Sequence, residues 1–121
     1  MRECPFCDRS NYETIGHLVF SKTDAYPVSE GHTLVIPKRH VSSYFDVTHD
    51  ERDELWEMVE NIQAELSEKY NPDGFNIGIN IGESAGQTVP HMHIHVIPRY
   101  ESDMVDPRGG VRGVIPEKQK Y

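Results

Sequence analysis

The sequence predicts an α+β domain in which an antiparallel sheet packs against one main helix. Apolar residues recur at helical spacing between residues 48 and 70, and short apolar or alternating segments lie on both sides of that stretch. Strands before and after a single helix, joined partly by connections of hairpin length such as 82–90, are typical of this class. The 121 residues contain no repeat, low-complexity tract or linker, so we expect one domain over residues 1–121.

The helix is the most clearly marked element. It begins at Thr48, because Thr48 and Glu51 have the spacing of a capping box and acidic side chains fill the first turn. It ends before residues 71–74, Asn-Pro-Asp-Gly, which are typical of a turn. Residues 48–70 hold eight acidic side chains against two basic ones, a net charge of −6 that we interpret as a solvated face. The apolar stripe consists of Leu55, Val59, Ile62, Leu66 and Tyr70.

Four segments are candidate strands. Residues 32–36 form an apolar run closed by Pro37, and residues 75–81 alternate apolar side chains with asparagine and glycine. A third segment, residues 91–97, contains three of the seven histidines. A shorter run near residues 15–20 is expected to pair at the sheet edge.

Composition and charge exclude several classes of protein. The chain carries 20 acidic and 12 basic side chains, a formal net charge of −8, which disfavours non-specific binding to nucleic acid or anionic membranes. No segment approaches the roughly 18 consecutive apolar residues of a spanning helix. Residues 1–4 also lack the apolar core of a secretory signal. We therefore expect a cytoplasmic protein without a nucleic-acid or membrane partner.

Residues 91–97 are the most informative segment. On an extended strand, successive side chains point to opposite faces, so His91, His93 and His95 share one face and the apolar residues between them share the other. A row of imidazoles can bind a metal, transfer a proton, attack an electrophile or donate hydrogen bonds to an anion. A histidine-rich solvated face is the alternative. A zinc site made of all three is disfavoured, because neighbours on a flat strand are about 7 Å apart.

The loop before the histidines supplies further polar groups. Residues 80–90 contain small residues that permit close backbone approach, with amide and hydroxyl donors that suit phosphate oxygens. Without the histidines, a flexible hairpin loop would be the default interpretation of this segment. The run from Gly86 to Val89 followed by the alternating histidines resembles the signature of the histidine triad family of nucleotide hydrolases and transferases. Residues 31–40, with Asp24 and Pro27 upstream, resemble an earlier part of the family's pattern.

The resemblance implies a fold and an activity. It implies an antiparallel sheet of about five strands with one main helix, in a twofold dimer. His93 would attack the α-phosphate of a nucleotide and form a covalent nucleotidyl-histidine, which water or another acceptor then resolves. The expected substrates are dinucleoside polyphosphates or nucleoside phosphoramidates. The alternatives are nucleotidyl transfer to phosphate, or nucleotide binding with little turnover.

The resemblance also assigns roles to residues of the loop, the histidine segment and the upstream block. The catalytic residues would be His93, His95 and Thr88. Asp24 would contact ribose hydroxyls, although a turn cap before Pro27 explains it equally well. The expected contacts with phosphoryl oxygens or the leaving group are Asn80, Gln87, Thr88 and His95. The histidines that we assign to structure or solvent are His17, His32 and His49.

Two cysteines, Cys4 and Cys7, form a CxxC pair near the start of the sequence. Such a pair is a redox centre, half of a metal site or two free thiols. A redox pair of the glutaredoxin type follows a strand, and three residues before Cys4 leave no room for one. Members of the histidine triad family with an N-terminal CxxC bind structural zinc through it. The implied zinc ligands are Cys4, Cys7, His40 and His91.

The last segment, residues 100–121, is expected to be an extended tail of the domain. It carries Arg108 and Arg112 among several glycines. Paired guanidinium groups suit a polyphosphate, so the tail could reach over a leaving group. A packing strap is the alternative that we hold equal to it.

Overall fold

A computed structural model describes residues 4–121, and in it the chain forms a five-stranded antiparallel sheet with one long helix on one face. The predicted α+β class is therefore confirmed. The expectation that no secretory signal is present concerns residues 1–4, of which residues 1–3 lie outside the described residues.

The strands do not follow chain order across the sheet. Their order is β1-β2-β3-β5-β4, and every neighbouring pair is antiparallel. This order places β5 in the interior, between β3 and β4, and leaves β4 at one edge. The twofold dimer implied by the resemblance stays a prediction. The five strands are β1 (Thr14–Ile15), β2 (Val19–Thr23), β3 (Thr33–Pro37), β4 (Gly74–Gly78) and β5 (Ile94–Arg99).

Helix α1 covers His49–Tyr70, with Thr48 as its N-cap. The backbone N–H of Glu51 donates to Thr48 Oγ1 over 3.1 Å, and the backbone N–H of Thr48 donates to Glu51 Oε1 over 2.8 Å. The predicted capping box is confirmed, and two of the otherwise unpaired amide groups of the helix start are satisfied. At the other end Asn71 adopts a left-handed conformation with φ of 49° and stops the helix.

Apolar side chains form one cluster on each face of the sheet. The helix-facing cluster includes Val19, Val35 and Ile94, packed against the predicted stripe of α1. The opposite cluster consists of Phe6, Phe20, Leu34 and Ile36. Because β3 is covered on both faces, all five of its residues are buried, and after Thr33 its sequence is apolar without alternation.

The ends of two predicted strands differ from the structure. Strand β4 ends at Gly78 rather than at residue 81, and β5 begins at Ile94 rather than at residue 91. The backbone N–H of Met92 donates to the carbonyl of Val41 over 2.7 Å, in the connection that follows β3. This bond holds the backbone of residues 91–93 out of the hydrogen-bonded ladder of the sheet, so β5 begins only at Ile94. The predicted separation of faces holds, because Met92 and Ile94 both lie in the helix-facing cluster.

The tail after β5 folds on itself in short 3-10 turns at Gly110–Val114 and Pro116–Lys118. The guanidinium of Arg112 donates to the carbonyls of Gln119 and Lys118, and Arg108 lies 3.8 Å from Asp106. Both arginines are thus engaged within the tail. No helix among residues 4–121 is long and apolar enough to cross a membrane.

Candidate functional site

A cleft of about 550 Å³ opens on the sheet face opposite α1. It is bounded by β2, β3, β5, the loop before β5 and the short turn at Pro5–Cys7. Five of the predicted site residues line this cleft, and they come from distant parts of the chain. They are Asp24, Asn80, Thr88, His93 and His95.

A second cavity of about 590 Å³ lies between α1 and the chain around β1. Its lining is acidic, with Asp50, Asp53 and Glu57 from the helix, and it contains His17. None of the predicted catalytic or substrate-binding residues lines it. The predicted catalytic and substrate-binding residues therefore gather in the smaller cleft.

His93 is held in one tautomer by the backbone. Its side chain is 8% exposed, and its Nδ1 lies 2.9 Å from the carbonyl oxygen of His91. A carbonyl only accepts, so Nδ1 carries the hydrogen and the lone pair of the neutral ring is on Nε2. Burial lowers the pKa of His93, which keeps the ring neutral. The ring of Phe6 packs edge-on at 5.0 Å and limits its rotation.

His95 is oriented by a second histidine, His32. The backbone N–H of Val28 donates to His32 Nδ1 over 3.0 Å, so the hydrogen of neutral His32 is on Nε2. That Nε2 lies 2.9 Å from His95 Nδ1 and donates to it. Neutral His95 therefore carries its own hydrogen on Nε2. These two hydrogen bonds, from Val28 to His32 and from His32 to His95, form a relay that leaves His95 Nε2–H free to donate. The same cleft contains the lone pair of His93 Nε2.

The pKa of His95 is lowered from 6.5 to about 4. Burial is the largest cause, and positive charge on His93 or His32 would oppose a further proton, while Asp24 acts in the opposite direction. Burial also lowers the pKa of His32, which is only 2% exposed. Both rings are therefore neutral near pH 7, as the relay requires.

Asp24 has a different function for each of its oxygens. Oδ1 accepts a hydrogen bond from the backbone N–H of Tyr26 over 2.8 Å, which caps the turn before Pro27. Oδ2 lies 3.4 Å from His32 Nε2 and 3.8 Å from His95 Nδ1. The turn cap considered from the sequence is therefore present, and Asp24 also faces the histidine pair. Its contact with ribose stays a prediction.

The loop before β5 is shaped by Gln87. The Gln87 side chain accepts from the backbone N–H of Gly82 and donates to the carbonyls of Ser42 and Val89. These bonds use the amide oxygen and both hydrogens of the amide nitrogen. Gln87 supports the loop that carries Thr88 into the cleft wall, and it is not among the described residues that line the cleft. Its predicted contact with phosphate stays a prediction.

The four predicted metal ligands converge beside the cleft. Cys4 Sγ lies 3.3 Å from His91 Nδ1, and Cys7 Sγ lies 3.3 Å from His40 Nδ1. The two Nδ1 atoms are 3.2 Å apart, and all four ligand atoms lie within 4.8 Å of one another. His91 Nε2 donates to the carbonyl of Pro37 over 2.8 Å, which leaves the lone pair on Nδ1 inside the group.

This donor set fits zinc. Bonds of about 2.1 Å to nitrogen and about 2.3 Å to sulfur put the ligand atoms of a tetrahedron about 3.3–3.8 Å apart. The distances between His91, His40 and the cysteines are of this size. The three histidines of the triad do not form one metal group, since His91 faces the cysteines and His95 faces His32.

Sequence reasoning missed two residues of this site. His32, assigned to structure or solvent, is the donor that fixes the tautomer of His95. Phe6, between the two cysteines, forms part of the cleft wall. A signal for His32 was available, because it precedes Leu34 by two residues and so shares the cleft face of the sheet.

Comparisons with known proteins agree with this geometry. The family model described as the HIT domain matches residues 12–102. A bis(5'-adenosyl)-triphosphatase of Dictyostelium discoideum is 43% identical over 86 residues, covering 71% of this chain and 58% of that protein. An AP-4-A phosphorylase of Mycobacterium tuberculosis is 38% identical over 89 residues, covering 73% of this chain and 46% of that protein. The chain thus spans about half the length of these curated relatives.

One solved structure is matched over a larger share of its own length than these two relatives. The crystal structure of a zinc-bound histidine triad family protein from Mycobacterium smegmatis superposes with a TM-score of 0.76 at 32% identity. The superposition covers 85% of this chain and 79% of that one. Since the family model matches well over half of the sequence and the fold superposes as well, the chain belongs to the HIT domain family.

Proposed function

We propose that this protein is a nucleotide hydrolase that cleaves dinucleoside polyphosphates or nucleoside phosphoramidates at the α-phosphate. The observation that carries the proposal is the pair of fixed tautomers in the cleft, an acceptor Nε2 on His93 and a donor Nε2–H on His95. A nucleophile, and a hydrogen-bond donor that stabilises the charge developing on the leaving group, are the two groups that this displacement needs. The names of the relatives support the substrate class.

In the first step His93 Nε2 forms a bond to the α-phosphorus. The bond from phosphorus to the leaving oxygen or nitrogen breaks, and its electron pair stays with the leaving group. His95 Nε2–H donates a hydrogen bond to that leaving group as its negative charge develops and keeps its proton, while a leaving nitrogen takes up a proton from solvent. Thr88 and Asn80, which line the same cleft, contact the phosphoryl oxygens.

In the second step water attacks the phosphorus of the nucleotidyl-histidine. The phosphorus–nitrogen bond breaks and its electron pair returns to His93 Nε2, the proton that water loses passes to solvent, and a nucleoside monophosphate leaves. If inorganic phosphate attacks instead, the product is a nucleoside diphosphate and the enzyme is a phosphorylase. The same side chains serve both reactions, so the acceptor alone separates them.

We also propose that Cys4, Cys7, His40 and His91 hold a structural zinc ion. Their ligand atoms lie within 4.8 Å of one another, the distances of 3.2–3.6 Å among them suit a tetrahedral zinc ion, and four protein ligands leave no open position for substrate. The ion's contribution is to fix the turn at Pro5–Cys7, and with it Phe6, against the histidine segment. No chemical step passes through this site.

Trapping the intermediate tests the proposal. Wild-type protein mixed with a dinucleoside polyphosphate and quenched in alkali, where a phosphoramide survives, should gain the mass of one nucleotidyl group. His93→Ala should lose both the adduct and turnover, whereas His49→Ala, an exposed histidine outside the cleft, should keep both. Full turnover by His93→Ala would refute the covalent route.

Product analysis separates hydrolase from phosphorylase. With a symmetrical dinucleoside tetraphosphate, we expect nucleoside monophosphate whether or not inorganic phosphate is added. Phosphate-dependent formation of nucleoside diphosphate would assign phosphorylase activity. Binding without turnover under both conditions would indicate a nucleotide-binding regulatory module.

A further inference from the structure

Lys22 lies on the cleft face of the sheet, in line with the reacting histidines. Its register partner on β3 is Leu34, and the partner of Leu34 on β5 is His95. Neighbouring strands are about 4.8 Å apart, so the backbones of Lys22 and His95 are about 10 Å apart across the sheet. Lys22 therefore lies two strands away from His95, on the same face of the sheet.

The surroundings of Lys22 are aromatic and apolar. Its ammonium lies 5.7 Å from the centre of the Phe6 ring, and Leu34, Ala25 and Val89 complete this end of the cleft lining. Lys22 is the one lysine or arginine among the described residues that line the cleft. Within residues 4–121, no carboxylate lies within 4.0 Å of its Nζ. The partly buried Lys22 side chain thus lies against the apolar cleft wall and forms no ion pair with the described carboxylates.

We propose that Lys22 is a specificity residue that selects nucleotides with a 6-oxopurine base, guanine or hypoxanthine, over adenine. The inference rests on the proposed function, since it takes the α-phosphate to lie at His93. A phosphate held there directs the base toward the apolar end, two strands away. A flat base suits aromatic and aliphatic walls, whereas a second phosphate would be poorly solvated there.

The selection follows from hydrogen-bond chemistry. A lysine ammonium has three donors and no acceptor. Guanine and hypoxanthine present two acceptors on one edge, O6 and N7, whereas adenine presents N7 beside an amino donor. One such contact discriminates between bases by about tenfold or more. The ammonium therefore donates hydrogen bonds to guanine or hypoxanthine, whereas on adenine it faces an amino group that is also a donor.

Equilibrium binding measures this selection without turnover. Calorimetric titrations of the full chain with GMP, IMP and AMP should give affinities for GMP and IMP about tenfold above that for AMP. In Lys22→Met, which keeps the aliphatic stem, the GMP and IMP affinities should fall to the level of AMP. IMP isolates the 6-oxo group because it lacks the 2-amino group of guanine. Lys118→Met, the same change in the exposed tail, should behave as wild type.

Three results would overturn the proposal. Equal binding of the three nucleotides by the wild type would show that the cleft does not read position 6. An equal loss for all three in Lys22→Met would assign Lys22 to phosphate attraction, and no change would remove it from the site. If the binding preference holds but no nucleotide substrate is turned over, the proposed hydrolysis fails while the specificity of the cleft stands.

Discussion

His32 makes the proposed chemistry depend on a residue that never touches substrate. The backbone N–H of Val28 fixes the hydrogen of His32 on Nε2. That hydrogen in turn fixes the hydrogen of neutral His95 on its own Nε2. Without it, neutral His95 could place its hydrogen on either nitrogen, and part of the population would present a lone pair to the leaving group. His32 is therefore a positioning residue.

The leaving group provides the test of this relay. We expect His32→Leu to reduce kcat by about 100-fold for a phosphoramidate or phosphoanhydride substrate, which is the size of a lost hydrogen bond to charge that develops in the transition state. For a substrate with an activated leaving group such as p-nitrophenolate, the loss should be much smaller, because that leaving group needs little stabilisation of its charge. His32→Gln, whose amide can donate to His95 Nδ1, should recover part of the rate. Equal losses on both substrates would contradict the relay.

The neutrality of His95 also connects stability to pH. Its pKa is about 4 in the folded protein against 6.5 as its ordinary value, so the unfolded chain takes up the proton first as pH falls. The contribution of His95 is therefore complete above about pH 6.5 and is lost toward pH 4. Between pH 7 and pH 5 this single group lowers the free energy of unfolding by about 2 kcal/mol.

Urea unfolding at the two pH values measures this contribution. His95→Asn should show a decline between pH 7 and pH 5 that is smaller by about that amount, because the substituted side chain does not titrate. Both proteins keep the four proposed metal ligands, so any acid loss of a bound metal cancels in the difference. The same decline in both would show that His95 does not carry the effect.

The sequence predicted much of the site, because strand alternation is a local rule. It separated the histidines from Met92 and Ile94, and the resemblance to the histidine triad family named the four residues whose possible ligand atoms lie close together in the structure. It did not predict the role of His32, since the contact with His95 joins residues 63 positions apart. It also did not predict that Glu51 of the capping box is buried, because Arg39, which pairs with it, lies outside the helix.

At the scale of elements, α1 supports the sheet through Glu54. One carboxylate oxygen, Oε2, accepts from the backbone N–H groups of both Leu18 and Val19, over 2.7 and 2.9 Å. These amides lie where β2 begins, and Val19 is fully buried. Gly16 gives the carboxylate room, since a Cβ there would lie 2.5 Å from Oε2. The helix thereby fixes the first residue of a strand.

Replacing Glu54 should destabilise the fold without touching the cleft. Glu54→Ala leaves two backbone donors without their acceptor, so we expect a loss of about 1–3 kcal/mol in the free energy of unfolding. Glu54→Gln keeps one accepting oxygen and should lose less. Glu57→Ala, an exposed acid one turn away, is the matched control and should change little. Chemical denaturation of the three variants measures the order, and equal losses from Glu54→Ala and Glu57→Ala would exclude this role.

The ends of elements show where sequence reasoning stops. Helix α1 was predicted to within one residue, because its capping box and the turn at Asn71 are local features. The beginning of β5 was predicted three residues early. Its alternation continues through residues 91–93, but a hydrogen bond to Val41, far away in the chain, turns that backbone out of the ladder. Long-range bonds of this kind leave no periodic signal.

At the scale of the whole molecule, the proposed zinc site joins three distant segments: the turn at Pro5–Cys7, the connection after β3 and the histidine segment. The same turn places Phe6 on the cleft wall against His93. Metal binding should therefore affect both stability and substrate affinity, although the ion takes no part in the chemistry.

Metal removal tests this connection. The purified protein should contain about one zinc per chain by elemental analysis. Cys4→Ser should lose most of it, lower Tm by several degrees and raise KM more than it lowers kcat, because Phe6 is released. Ser10→Ala, a nearby substitution outside the ligand set, should keep the metal. An equally stable metal-free protein would reject the site.

The acidity of the molecule does not oppose an anionic substrate. The net charge of −8 is concentrated in α1, and most of the helix acids are exposed on the side away from the cleft. The cleft itself holds one carboxylate, Asp24, together with Lys22 and two histidines among its described lining. A nucleotide therefore approaches a surface that differs in charge from the molecule as a whole.

The spacing of the proposed metal ligands along the chain also matters while the protein is being made. Cys4 and His91 are 87 residues apart, and His91 lies just before the interior strand β5. At synthesis rates of about 5–20 residues per second, His91, the last of the proposed ligands, is translated several seconds or more after the two cysteines. During that interval they are open to oxidation or to capture of the wrong metal, so the proposed metal site can form only late in synthesis, and the protein should mature best in a reducing environment.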